Sequence, residues 1–165
     1  MENYSVLMSV YYKEQAENLR EAIDSILNQT VKTNEFIIVK DGPLTEKLDN
    51  TIKEYVEEYP GVFKIVTLKK NMGLAKALNK GIEQCSNEII ARMDSDDISM
   101  PDRMERQLEA MEANRADILS GTIVEFDESV DKPTAKRELP EKNEQIIEFA
   151  KKRSPFNHPA VMYKK

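Results

Sequence analysis

The stretch Glu88-Ile89-Ile90-Ala91-Arg92-Met93-Asp94-Ser95-Asp96-Asp97 decides how this chain is read. Residues 88–93 form a largely apolar run with the length of a buried strand. Three carboxylates follow within four residues. A strand that ends this way sets several negative oxygens at one sheet edge. Like charges so close repel unless something positive lies between them. A divalent cation is the simplest counter-charge, and hard carboxylate oxygens suit Mg²⁺ or Mn²⁺. Mg²⁺ usually takes one or two protein carboxylates and shares the rest of its shell with substrate phosphates. The stretch therefore points to a nucleotide-diphosphate substrate.

Other readings of the same residues are weaker. One aspartate would be enough to cap the following helix. Asp94, Asp96 and Glu105 fall at positions one, three and twelve of an EF-hand loop, but the glycine position holds Ser99 and a strand precedes the loop. An aspartyl-phosphate nucleophile would more naturally follow the chain's first strand.

Outward from this stretch, strands alternate with helices. Val6–Val10, Glu35–Val39 and Phe63–Leu68 are short apolar strands. Glu14–Gln29 carries Ala16, Leu19, Ala22, Ile23, Ile26 and Leu27 at helical spacing. Thr45 is placed to cap a helix bearing Leu48, Ile52, Val56 and Tyr59, which Pro60-Gly61 stops. Asn71-Met72-Gly73 turns into a helix through Leu74, Ala77, Leu78 and Ile82, and Cys85 is assigned to that helix as a buried, inert thiol. Pro101 suits the first turn of a helix bearing Met104, Leu108 and Met111. Ile118–Phe126 reads as one strand interrupted by Gly121, and Asp127–Lys142 as a long polar loop. Glu144–Lys152 is a short helix, and Phe156–Tyr163 is expected to be extended.

This alternation implies a mostly parallel sheet covered on both faces. Ligands of such sheets bind beyond the carboxyl ends of the strands. Ser9 with Tyr11, Asp41-Gly42 and Asp94–Asp97 are all predicted at that edge. A turn alone would explain Asp41-Gly42, but the shared edge makes Asp41 a candidate contact for a base or ribose. Lys76 stands in the first turn after Gly73 and is a candidate for a phosphate. Arg92 lies inside a strand, where an unpaired charge is costly, so an ion pair is expected for it. His158 is the single histidine. A lone histidine is usually structural, and it ranks last among the candidate metal ligands.

The bulk composition narrows the classes. The chain has 165 residues, 40% hydrophobic and 33% charged, enough for one globular domain with a sizeable core. No apolar run approaches the roughly 20 residues that cross a bilayer, and residues 1–4 do not open a signal peptide. One cysteine excludes an internal disulfide framework and fits a reducing cytoplasm. A net charge of −6 argues against nucleic acid as a partner.

The ordered set resembles the family 2 glycosyltransferases, which have the GT-A fold. The matching pieces are the first strand into Val10-Tyr11, the strand ending at Asp41-Gly42, and Asn71-Met72-Gly73-Leu74-Ala75-Lys76-Ala77-Leu78-Asn79-Lys80-Gly81-Ile82. Ala91-Arg92-Met93-Asp94-Ser95-Asp96-Asp97, Pro101-Asp102-Arg103 with Gln107, and Asn157-His158-Pro159 follow. A lone Asp-x-Asp is weak evidence, whereas the order of the set is specific.

The resemblance implies a Rossmann-like, three-layer α/β/α domain over residues 1–165. It implies transfer of a sugar from a nucleotide-sugar, expected to be a UDP-sugar, to an acceptor hydroxyl. Inversion, dependence on Mn²⁺ or Mg²⁺, a carbohydrate or lipid-linked acceptor and a place in bacterial polysaccharide synthesis go with it. By the same resemblance Ser9, Tyr11, Asp41, Asn71, Lys76, Asp94 and Ser95 would hold the nucleotide-sugar. Asp96, with Asp94, Asp97 and His158, would hold the metal. A cytoplasmic location is expected, with the parent protein at the inner face of the membrane.

Three departures stand against the pattern. Ser9 replaces a usual proline and Tyr12 a usual asparagine, while Leu78 replaces a frequent arginine, whose contact cannot be carried over. The general base is expected beyond Lys165, so the chain reads as a piece of a longer protein. A nucleotidyltransferase would show a Gly-rich or basic loop where Tyr11-Tyr12-Lys13-Glu14 stands. A non-catalytic binding module on the same sheet is the other alternative.

Overall fold

A computed structural model describes residues 3–127 and 131–165. The chain runs β1 (Tyr4–Val10), α1 (Ala16–Leu27), β2 (Glu35–Lys40), α2 (Glu46–Glu58), β3 (Phe63–Thr67), α3 (Leu74–Ile82) and β4 (Ile89–Asp94). It continues through α4 (Arg103–Asn114), β5 (Ile118–Ser120), β6 (Ile123–Phe126), β7 (Pro133–Arg137), α5 (Asn143–Ala150) and β8 (Val161–Lys164). A single 3₁₀ turn, His158–Ala160, leads into β8. No helix among the described residues is long and apolar enough to cross a membrane.

Apolar strands of the β1, β2 and β4 type must be covered on both faces. They lie at the centre of a six-stranded sheet ordered β3-β2-β1-β4-β8-β5. The first four are parallel, and β8 pairs antiparallel with both β4 and β5. Leu19, Ile23 and Ile26 of α1, Leu48 and Ile52 of α2, and Met104, Leu108 and Met111 of α4 cover one face. On that face they meet Val6, Met8, Phe36, Ile38 and Met93. The other face packs Leu7, Ile37, Val39 and Ile90 against Ala77 of α3. Three layers, α/β/α, follow from the period-two alternation of the strands.

Thr45 caps α2 as expected, its hydroxyl accepting the Leu48 N–H at 3.4 Å. Gly81 permits the close approach of α3. A Cβ there would lie 2.2 Å from Leu7 Cδ1 and 2.8 Å from Val39 Cγ2.

Several expectations are corrected. The stretch 118–126 is two strands: β5 joins the main sheet, and β6 leaves it to pair with β7. The break falls at Gly121, whose N–H donates to the Ala160 carbonyl at 3.1 Å. The stretch 127–142 is not one loop, because it contains β7. That strand escaped notice because Pro133-Thr134-Ala135-Lys136-Arg137 is almost wholly exposed, so no apolar alternation marks it. Its proline occupies the first position, where a strand tolerates it. Residues 128–130 of the expected loop lie outside the described residues. Residues 156–163 are not uniformly extended, since Pro159 sits in the 3₁₀ turn. Pro101 precedes α4 instead of opening it. Cys85 lies past the end of α3; it is buried, and burial above all pushes its thiol up to about 11.

The amino end of the sheet is tied by one carboxylate. Glu35 accepts from Ser5, from Lys64, and from the Ser86 N–H and Oγ, each of the last two at 2.8 Å. Burial alone would raise its pKa. These hydrogen bonds outweigh burial and hold it at about 2, against an ordinary 4.5.

Two outcomes follow. A carboxyl depressed in the folded state lends stability above its unfolded value and withdraws it as pH falls. Urea midpoints of the wild type are expected to fall between pH 4.5 and 2 more steeply than those of Glu35→Gln. Gly81→Ala gains about 0.5–1 kcal/mol of helix propensity. It loses about 1–3 kcal/mol to overpacking, so equilibrium unfolding is expected to show a net loss.

Candidate functional site

The register of three strands builds the site. Ser9 lies level with Val39 on one side and with Asp94 on the other. The three central strands are buried along most of their length, and Ser9, Lys40 and Asp94 become partly exposed near their carboxyl ends. The loops that leave this level therefore converge. They form an open cleft of about 350 Å³ lined by Ser9, Tyr11, Glu14, Asp41, Asn71, Gly73, Leu74, Asp94, Ser95 and Asp96.

Asp41 is 3% exposed, and both of its oxygens are engaged. The Met72 N–H donates to Oδ1 at 2.7 Å and the Gly73 N–H to Oδ2 at 3.0 Å. Its carboxylate thus clamps the 71–73 turn onto the end of β2. Gly42 completes the clamp. It sits at φ +90°, and a Cβ there would fall 2.5 Å from the Asn71 nitrogen. Only glycine accommodates that backbone and that approach together.

The opposite wall is the acidic turn. Arg92 is 8% exposed, and its Nη2 meets Asp94 Oδ1 at 2.8 Å, the ion pair expected of a charge inside a strand. The Ser95 hydroxyl donates to Glu14 Oε2 at 2.6 Å, which ties this turn to the loop after β1. Asp96 is exposed and unpaired among the described ion pairs. Burial, then Glu14 and Asp94, raise its pKa. Burial, then Asp94 and Asp96, push Asp97 up to about 6, with Arg103 and Arg92 opposing. The turn is crowded with negative charge and favours a cation beside it.

The structure brings Ser9, Tyr11, Asp41, Asn71, Asp94, Ser95 and Asp96 to one cleft. Lys76, Asp97 and His158 do not line it. His158 is exposed, and its Nε2 lies 3.3 Å from the Ser154 hydroxyl. Among the described residues, no three His, Cys, Asp or Glu side chains converge into a ready cation cage. The donor set instead suits an ion shared with substrate oxygens, which needs only one or two carboxylates. Glu14 went unrecognised as a site residue. Its signal was its place three residues past Tyr11, at the start of a helix that it helps to hold through the Gln15 N–H (2.8 Å).

A neighbouring hollow of about 420 Å³ is bounded by Tyr12, Lys13, Thr45 and Lys47, and it shares Glu14. It collects no carboxylate cluster, and the polar signals of the sheet edge fall in the other cleft.

The family model described as glycosyl transferase family 2 matches residues 5–164. The amylovoran biosynthesis glycosyltransferase AmsE of Erwinia amylovora is 44% identical over 98% of this chain and 60% of its own length. An Escherichia coli protein named UDP-Gal:alpha-D-GlcNAc-diphosphoundecaprenol beta-1,3-galactosyltransferase is 41% identical over 98% of this chain and 58% of its own. The chain thus spans about 60% of the curated relatives it matches. A mannosyltransferase from Pyrobaculum calidifontis, solved with GDP-Man and Mn²⁺, superimposes with a TM-score of 0.69. The overlap covers 99% of this chain and 44% of that one, at 16% identity, so this likeness shows the GT-A fold.

Removing the clamp gives a local readout. Asp41→Ala takes the charged acceptor from two part-buried N–H groups of an exposed turn, which loosens the turn locally. Amide exchange at Met72 and Gly73 is expected to accelerate more than exchange in β1.

Proposed function

The chain belongs to glycosyl transferase family 2, and from that premise we propose that it forms the donor-binding part of a sugar-transferring enzyme. The donor is a nucleotide-sugar, a UDP-sugar, and the reaction passes the sugar to an acceptor hydroxyl with inversion at the anomeric carbon. The observation that carries this reading is the single cleft in which the Asp94–Asp96 wall faces Ser9, Tyr11 and Asn71.

In this reading the base and ribose lie along Ser9, Tyr11 and Asp41. Asp41 keeps lone pairs beyond the two N–H groups it holds, so it can both shape the floor and accept from a base. Asp94 and Ser95 face the ribose side, and Asn71 lines the wall across from them. Lys76 stands on the first turn of α3, outside the cleft lining, as a longer-range charge for the diphosphate. Asp96, with Asp94 and Asp97, would hold Mn²⁺ or Mg²⁺. Such an ion supplies Lewis-acid stabilisation to a departing diphosphate. His158 is not assigned to it, because it lies in the 3₁₀ turn beside Ser154, whereas Asp97 adjoins Asp96 in the acidic turn.

The chain's own residues do the orienting. Arg92 fixes Asp94, Glu14 fixes Ser95, and Asp41 fixes the 71–73 turn. Fixed groups of this kind cost no reorganisation when charge develops on the leaving group. The base that takes the acceptor proton is placed outside residues 1–165, and the relatives' greater length leaves room for it. A carbohydrate or lipid-linked acceptor and a role in bacterial polysaccharide synthesis are supported by the relatives' names. Work on such an acceptor would place the protein in the cytoplasm, at the inner face of the membrane.

Ligand-linked melting tests the reading. Saturation at 100 times Kd adds about 2.7 kcal/mol, or about 5–10 °C for a domain of this size. UDP with Mn²⁺ is expected to raise Tm by that amount in the wild type and to leave Asp96→Ala unshifted. An unshifted wild type contradicts the reading.

A further inference from the structure

Arg103 is a half-buried cation with no carboxylate of the described residues in direct contact, although Asp97 and Asp94 favour its charge from further off. No carboxylate among the described residues comes within ion-pair distance of it. Its guanidinium meets neutral groups instead. Nη2 donates to the Arg92 carbonyl at 2.8 Å, Nε to Gln107 Oε1 at 3.0 Å, and Nη1 lies 3.5 Å from Met93 Sδ. Burial lowers its pKa to about 10, so it remains charged at neutral pH. Drawing a charge even partly out of water costs free energy, and an apolar side chain of similar volume often serves stability equally well. Packing alone does not account for an arginine here.

The sheet shows what the arginine does. β8 pairs with β4 only along Ile89–Ala91, whereas β1 stays paired with β4 as far as Asp94. The last three residues of β4 therefore have a strand on one side only. Arg103 and Gln107, one turn apart on α4, fill the notch where β8 departs. Gln107 Nε2 donates to the Ala160 carbonyl at 2.7 Å, just ahead of β8, while Arg103 holds the Arg92 carbonyl. Arg92 then turns its own side chain onto Asp94. One rigid chain of contacts runs from α4 through β4 to the first carboxylate of the acidic turn.

We propose that Arg103 is a positioning residue, and that through the Arg92 backbone it fixes the Asp94–Asp97 turn in the geometry that receives the diphosphate end of the donor. It touches no substrate. This inference rests on the donor-site reading above and adds a division within that site. The diphosphate half depends on Arg103. The base end, built by β1 and β2, does not, and the ribose, which Asp94 faces, depends on it less.

Binding of two probes separates the halves. Affinities for uridine and for UDP with Mn²⁺ are measured for the wild type, Arg103→Met and Arg103→Lys. Arg103→Met is expected to lose about tenfold or more in affinity for UDP with Mn²⁺, equivalent to about 1.4 kcal/mol, and to lose clearly less for uridine. Arg103→Lys keeps the charge but cannot reach three acceptors from one planar fork, so its loss is expected to be intermediate and equally selective. Circular dichroism checks that each variant is folded; should Arg103→Met fail to fold, Arg103→Lys decides. Equal losses for both probes, or no loss for either, overturn the assignment. A wild type that binds neither probe refutes the donor-site reading itself, and this inference with it.

Discussion

The register of the parallel ladder β2-β1-β4 is the constraint on which everything else rests. It sets Val39, Ser9 and Asp94 side by side. Every strand in that row is buried on both faces below this level, so a shift of one residue would drive core side chains outward. The hydrophobic cost of a slip thus guards the alignment of three polar loops. None of those loops needs much stability of its own, because each leaves the sheet from a fixed point.

Charge is divided along the same strands. At the amino end Glu35 is surrounded by donors and held ionised. At the carboxyl end Asp96 and Asp97 are pushed upward by burial and by neighbouring carboxylates, Glu14 and Asp94 for the first, Asp94 and Asp96 for the second. The first end is balanced within the chain, whereas the second keeps an excess of negative charge that only a ligand or ion relieves. Arg92 and Arg103 stand behind that excess without cancelling it. The ends of one sheet have become a clamp and a receptor.

Much of this was legible in the residues, and the reasons differ from place to place. β1, β2 and β4 were plain because buried parallel strands are apolar throughout. Thr45 announced α2 through capping chemistry. The acidic turn stood out because three carboxylates in four residues have few peaceful uses. Asp41 was placed correctly in the chain, but its grip on the Met72 and Gly73 amides was not foreseeable, since both partners are backbone and 31 or 32 residues away. β7 left no trace because both of its faces are wet. Glu14 was absorbed into a helix start, and its bond to Ser95 spans 81 residues. Arg103 and Gln107 could be recognised only as a motif. Their task depends on where β8 stops pairing, which no local pattern records.

A crystal structure of the protein with a UDP-sugar and Mn²⁺ tests the central claim most directly. The account predicts uridine along Ser9, Tyr11 and Asp41, with the diphosphate and the ion against Asp94 and Asp96. Density for the nucleotide in the adjoining hollow between Tyr12 and Lys47, with the acidic turn left bare, would contradict it.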